Sequence, residues 1–342
     1  MGMMRRLGLG AAFCAGAVLC MAAAYALSEA VDPVFPEMRA KIAMFRQRSP
    51  SLQAVSVGNS HTRALDFGAL GVEGMHLYEG GQDVFEAAYL AQYAVERAPR
   101  LRYVLMTTSY GLERLDHAAM TSEDLSGIRR RTYARTAIPR FIPGDGALWL
   151  SAVFSPISRS DHWSGVALRL LRPGHPREPV RLTRDGRAQE PPPPPFVPDP
   201  AARDRPPRPT GHPAGADESV VNDPTTPARA VARLEKLARS LEARGIRMVL
   251  YTPPYHETYP RYMTRRAPAT RQALAPLLKH SNVVWMDFGQ DPAFIRRVEL
   301  FRDSDHMNPE GARVFSAHLR RCLAALPAQG DAALPAECRR VR

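Results

Sequence analysis

A chain of 342 residues holds one large domain or two small ones, and a 45% hydrophobic share suffices for a sizeable core. The formal charge of +12 favours anionic partners such as lipid headgroups, acidic polysaccharide or nucleic acid. Nucleic acid ranks last and is not expected as a partner, because no basic stripe interleaved with aromatics accompanies the scattered arginines.

The N-terminal stretch carries Arg5 and Arg6, then an uncharged segment from Leu7 to Leu27. That matches the ~20 residues a bilayer helix needs. The flanking arginines predict a cytoplasmic N-terminus and export of the remainder. Residues 1–27 therefore read as an inner-membrane anchor, or as a signal peptide cleaved after the small-x-small run Ala24-Tyr25-Ala26. Either reading puts the main domain in the periplasm. Cys14 and Cys20 fall in this apolar segment, whereas Cys322 and Cys338 lie near the other end of an exported chain, where disulfides persist. Those two are expected to pair; two free thiols are the alternative.

Beyond a connector and a short helix, strand and helix signals alternate. Residues 53–58, 73–81 and 102–108 read as strands, with an amphipathic helix over 83–98. Residues 227–245 form a helix stopped by Gly245, 246–254 a strand ended by prolines, 267–280 a helix, 282–288 a strand, and 308–326 a helix with Asn308 as N-cap and Pro309 in its first turn. Such alternation predicts a parallel sheet covered on both faces, an α/β fold. The alternation breaks between 115 and 221. Residues 115–171 carry weak signals, and 172–221 are rich in Pro, Arg and Asp with little apolar content, so 172–219 are expected to be disordered and dispensable for folding. The fold is thus split into 28–114 and 222–326, followed by a tail over 327–342.

In a parallel sheet, ligands bind beyond the carboxyl ends of the strands. Gly58-Asn59-Ser60 follows the first strand, Gly80-Gly81 the second, Thr108-Ser109 the third and Tyr255-His256 the fourth; Asp303 and His306 precede the last helix. A serine hydroxyl is a weak nucleophile and needs an adjacent base. His306 suits that role, with Asp303 orienting its ring and Asp305 as the alternative acid. The amide N–H groups of Ser60 and Gly81 are candidate oxyanion donors. His61 is expected to point elsewhere. No His-Glu-x-x-His spacing occurs among the ten histidines, so no metal site is expected.

These blocks resemble those of the SGNH hydrolase superfamily, also called GDSL-like. Val57-Gly58-Asn59-Ser60-His61-Thr62 is similar to its serine block, Tyr78-Glu79-Gly80-Gly81-Gln82 to its glycine block, and Asp303-Ser304-Asp305-His306 with Asn308-Pro309-Glu310-Gly311 to its Asp-x-x-His block. The strand before Tyr255 is similar to that of the membrane-anchored periplasmic branch, which handles O-acylation of envelope polysaccharides. The resemblance covers roughly 50–115 and 222–326. It implies a flavodoxin-like three-layer α/β/α fold on a parallel five-stranded sheet, ester chemistry through Ser60, His306 and Asp303, and no cofactor. It also implies a small ester or acylated polysaccharide substrate, with a membrane acyltransferase as a possible partner. The sequence departs at the third block, where Thr107-Thr108-Ser109-Tyr110-Gly111 replaces the usual Gly-x-Asn-Asp; Thr108 or Ser109 is left to supply the third oxyanion donor. Asn59, Tyr255 and His256 are candidate substrate contacts. A catalytically silent accessory protein of the same fold is the alternative function.

Overall fold

The computed structural model describes residues 12–13, 15–20, 22–24, 36–78, 80–116, 167, 171, 180–204, 224–326, 335–338 and 341. The chain divides into two compact units, 1–39 with 130–180, and 40–129 with 181–342. Few residues of the first unit are described, and of the expected membrane segment Leu7–Leu27 only residues 12–13, 15–20 and 22–24 are among them. No helix among the described residues is long and apolar enough to cross a membrane.

The second unit is built on five parallel strands: β1 (Ala54–Val57), β2 (Gly74–His76), β3 (Tyr103–Thr107), β4 (Arg247–Thr252) and β5 (Val283–Asp287), in the order β2-β1-β3-β4-β5. Nearly every strand residue is buried, as expected of a parallel sheet covered on both faces. Alternation along the strands divides the core. Ala54, Leu105, Val249, Tyr251, Val284 and Met286 face one way and pack with Phe315 and Leu319 of the helix Pro309–Ala324. The opposite face is covered by the helices Val84–Arg97 and Thr226–Glu242, which pack on β1, on β4 and on each other. Helices therefore lie on both sides of the sheet. In chain order α1 is Pro36–Arg48, α2 Phe67–Leu70, α3 Val84–Arg97, α4 Thr226–Glu242, α5 Arg261–Thr264, α6 Ala267–Leu274 and α7 Pro309–Ala324.

Local chemistry sets the element ends that matter for the site. Asp83 caps α3 in a reciprocal capping box with Glu86. Asn308 accepts from the Gly311 amide at 2.9 Å, and its own amide group donates to the Glu299 and Phe301 carbonyls. One side chain thus ties the start of α7 to the loop that precedes Asp303. Gly311 is required there, since a Cβ would lie 2.0 Å from the Leu300 carbonyl oxygen. Cys322 and Cys338 form a disulfide joining α7 to the C-terminal 3-10 turn, and the Val341 amide donates to the Trp285 carbonyl at the β5 edge. Closing a loop of this length contributes about 3 kcal/mol on the chain-entropy model.

Gly58 ends β1 at φ +121°, and a Cβ there would sit 2.2 Å from Thr107 Oγ1. Both the backbone angle and the close approach to β3 exclude a side chain. Gly58→Ala is expected to destabilise the fold by about 3 kcal/mol and to lower Tm by roughly 5–10 °C. An unchanged Tm in a thermal melt would contradict this packing.

The expectation of disorder over 172–219 is corrected for residues 181–204, which are ordered as part of the second unit; the rest of that range, apart from Val180, lies outside the described residues. Residues 181–189 form a tight hairpin through the Leu182–Ala188 bridge and turn at Gly186, φ +83°. The hairpin sits on the sheet edge: the His76 amide donates to the Asp185 carbonyl at 2.8 Å. Arg187 pairs with Asp66 and Asp185, and Glu190 with Arg63 and Arg302. Composition missed this because polar pairing, not apolar burial, fastens the strap. The amides of His76, Thr183 and Gln189, all hydrogen-bonded across this hairpin and edge, should therefore exchange slowly with deuterium. Exchange as fast as in an unfolded peptide would contradict the docking.

Candidate active site

All strands run the same way, so the loops at their carboxyl ends meet on one edge of the sheet. Gly58 turns the chain out of β1, and Asn59 then caps the 3-10 helix Ser60–Ala64, its side-chain oxygen accepting from the His61 amide. Ser60 is thereby presented at the first position of that helix. From the far end of the fold, Asp303 folds its own loop. Its carboxylate accepts from the Asp305 amide at 3.1 Å and the His306 amide at 2.7 Å. The His256 amide holds the same loop through the Ser304 carbonyl.

These constraints bring Ser60, His306 and Asp303 into line. Ser60 Oγ lies 2.8 Å from His306 Nε2, and His306 Nδ1 lies 3.0 and 3.1 Å from the two oxygens of Asp303. Asp305 Oδ1 stands 3.3 Å from the same ring nitrogen, farther out than Asp303. Burial alone would lower the His306 pKa. Asp303, then Asp305, outweigh it and push the value up to about 9. Neither a protein-family model nor a curated protein matches the chain. The site's chemistry rests on this geometry and on the residues themselves.

His61 departs from expectation. It turns into the site, where Nε2 meets Asp305 Oδ2 at 3.1 Å and Nδ1 meets the Ser109 hydroxyl. Its ring is tilted against that of His306 with centroids 4.9 Å apart. Burial holds its pKa below the usual value in spite of Asp305. A neutral ring that donates Nε2–H to Asp305 must accept at Nδ1, so Ser109 donates its hydroxyl proton there and accepts from Asn59 Nδ2 at 2.9 Å. The result is a continuous chain of hydrogen bonds, Asn59–Ser109–His61–Asp305, alongside the Ser60–His306–Asp303 line. Asp305 belongs to both. Burial raises its pKa, but the hydrogen bonds from His306 and His61 prevail and keep the carboxylate ionised.

The remaining candidates fall as follows. Ser109 spends its hydroxyl proton on His61, so it offers none to an oxyanion. The Ser60 and Gly81 amides donate to no partner among the described residues, and Gly81 adopts φ +77° at the turn after β2. Thr108 is buried and paired with Thr252. Tyr255, expected to touch substrate, is fully buried, edge-on to His61 and stacked on Tyr259. His256 is buried as well, with Nδ1 on the Thr258 hydroxyl and its ring between Phe196 and Phe301. Asn59 faces Ser109 and Thr107.

His61, expected to point elsewhere, and Thr107, given no role of its own, help define the site. The doubled acid in Asp303-Ser304-Asp305-His306 was the available signal, since a second carboxylate beside one histidine calls for a second partner. The nearest ligating atoms of His61, Asp305 and His306 lie within 4.8 Å of one another, a grouping that also suits a cation. In this structure His61 is hydrogen-bonded directly to Asp305, and His306 Nε2 faces Ser60.

Proposed function

We propose that the protein is an exported serine esterase or O-acyltransferase of the SGNH type, acting on a small ester or an acylated envelope glycan. The observation that carries this reading is the 2.8 Å approach of Ser60 Oγ to His306 Nε2, with Asp303 behind the ring. Strand order 2-1-3-4-5 is that of flavodoxin-like sheets, whose ligands sit at the carboxyl edge, and supports the flavodoxin-like reading. The site lies on that edge.

In the proposed reaction, neutral His306 takes the Ser60 proton at Nε2 as the serine oxygen attacks the ester carbonyl. The carbonyl oxygen, now anionic, is met by the Ser60 and Gly81 amide protons. The carbon–oxygen bond to the alcohol then breaks, and His306 returns its proton to the departing oxygen, leaving an acyl group on Ser60. Water or a sugar hydroxyl, deprotonated by His306, takes the acyl group and restores the serine. Asp303 keeps the Nδ1 proton of His306 in place and stabilises the cation formed at each step.

The alternative of a silent binding protein draws on one observation. A pKa of about 9 keeps His306 largely protonated at neutral pH, where it donates to Ser60 instead of accepting from it. Turnover of 4-nitrophenyl acetate at pH 7 and pH 9 separates the two. An esterase releases 4-nitrophenolate faster at the higher pH, above the spontaneous rate, and loses that excess in His306→Ala. A binding protein shows no excess at either pH.

A further inference from the structure

A cavity of about 450 Å³ is lined by residues that neighbour Ser60 and His306 along the chain, though neither of those two lines it. Its walls include Arg63, Tyr78, Arg187, Glu190, Arg302 and Met307. The volume is that of a small-molecule site. Two of its arginines are tied to the reacting residues by the backbone. Arg63 is three residues after Ser60 on one 3-10 helix, where side chains at i and i+3 lie on the same side. Arg302 stands opposite His306 in the short hairpin closed by the Phe301–Met307 bridge, its amide donating to the His306 carbonyl at 2.9 Å.

Between these arginines lies a carboxylate of the chain itself. Glu190 accepts from Arg63 at 2.6 Å through one oxygen and from Arg302 at 2.9 Å through the other. Partial burial would raise its pKa, but Arg63 and then Arg302 hold it below the usual carboxylate range. Arg187, the third arginine of the wall, is engaged by Asp66 and Asp185. Pro191, Pro192 and Pro193 follow Glu190 along the same wall, so the strap that carries the carboxylate also forms part of the cavity's lining.

We propose that this cavity binds a carboxylate group of the substrate between Arg63 and Arg302, and that Glu190 occupies that position until the substrate displaces it. The assignment of the ligand as substrate rests on the esterase reading; the anion site itself does not. Two guanidinium groups set to grip the two oxygens of one carboxylate provide matched recognition. The resident pair is partly exposed, with side-chain exposures of 29% for Arg63, 38% for Arg302 and 40% for Glu190. Exposed pairs of this kind are weak and exchangeable. A strap that merely needed fastening is already held by Asp185 and Arg187.

The test is calorimetric titration of the full chain at fixed ionic strength, in a Ser60→Ala background so that no turnover is required. Citrate is the probe. Glu190→Gln is expected to bind citrate at least about tenfold more tightly than the parent, because the internal competitor is gone. Adding Arg302→Met or Arg63→Met to Glu190→Gln should remove that gain, with Tm confirming that each variant is folded. Glucuronate and lactate, each with one carboxylate, then separate the sources: tighter glucuronate assigns the cavity to a sugar acid, equal affinities to the carboxylate alone. If Glu190→Gln binds citrate no better than the parent, or keeps its gain without Arg302 and Arg63, the site is not a carboxylate clamp. Because binding is read directly, that failure would leave the role of Ser60 untouched.

Discussion

Ser60→Ala is expected to lower kcat for 4-nitrophenyl acetate by about 10³-fold or more, with Tm nearly unchanged. The size follows from the role: loss of the nucleophile removes the whole covalent route, and only binding and oxyanion contacts remain to assist direct attack by water. Fold stability should be insensitive, because Ser60 is half-buried and, among the described residues, its side chain hydrogen-bonds to His306 alone. The helix start it occupies is held by the Asn59 cap and by Gly58, neither of which the substitution touches. Stopped assays at pH 9, where His306 is half deprotonated, give the largest signal. Wild-type turnover in the variant would place the nucleophile elsewhere.

The second large effect concerns the two aspartates around His306. Asp303→Asn is expected to cost about 10³–10⁴-fold in kcat, since the amide can hold the ring in the tautomer that cannot accept from Ser60. Asp305→Asn should cost about tenfold or less by comparison, because its contact with Nδ1 is the longer one, 3.3 Å against 3.0 Å. It has a signature of its own in the pH profile. His306 acts as base only when neutral, so activity rises with pH through its pKa, about 9 in the wild type. At pH 7 roughly 1% of the rings are neutral, by the ordinary titration relation. Asp305 supports the cation, so removing its charge must lower that pKa and move the rising limb to lower pH. The profile of kcat/KM against pH for Asp305→Asn checks the sign. A limb that stays in place or moves upward would detach Asp305 from His306.

Much of this site can be read in the chain before any coordinates. The strand–Gly-x-Ser turn and the Asp-x-x-His run before Asn308-Pro309 each state a local geometry, and the order of strands sends both to one edge. His61 could not be placed that way. Successive residues of a 3-10 helix diverge by about a third of a turn, so a histidine beside Ser60 reads as leaving the site. Its partner Asp305 lies 244 positions away, and only the tertiary fold reveals their meeting. Tyr255 and His256 illustrate the converse. Polar residues on a loop at the active edge look like ligand contacts, yet both are buried as supports, one beneath His61 and one carrying the Asp303 loop. The strap was illegible for a related reason: its order comes from the His76 amide bonded to the Asp185 carbonyl and from the ion pair of Arg187 with Asp66, partners that composition within 181–204 does not contain.

The central claim is that Ser60 is a nucleophile activated by His306. Its most direct test is treatment of the purified protein with a fluorophosphonate, followed by mass spectrometry of the adduct. Such a reagent forms a phosphorus–oxygen bond fastest with an activated serine hydroxyl and releases fluoride. The adduct is predicted on Ser60 alone, formed faster at pH 9 than at pH 7, absent in Ser60→Ala and strongly slowed in His306→Ala. A folded wild-type domain that stays unlabelled, or an adduct on another serine that persists in Ser60→Ala, would contradict it.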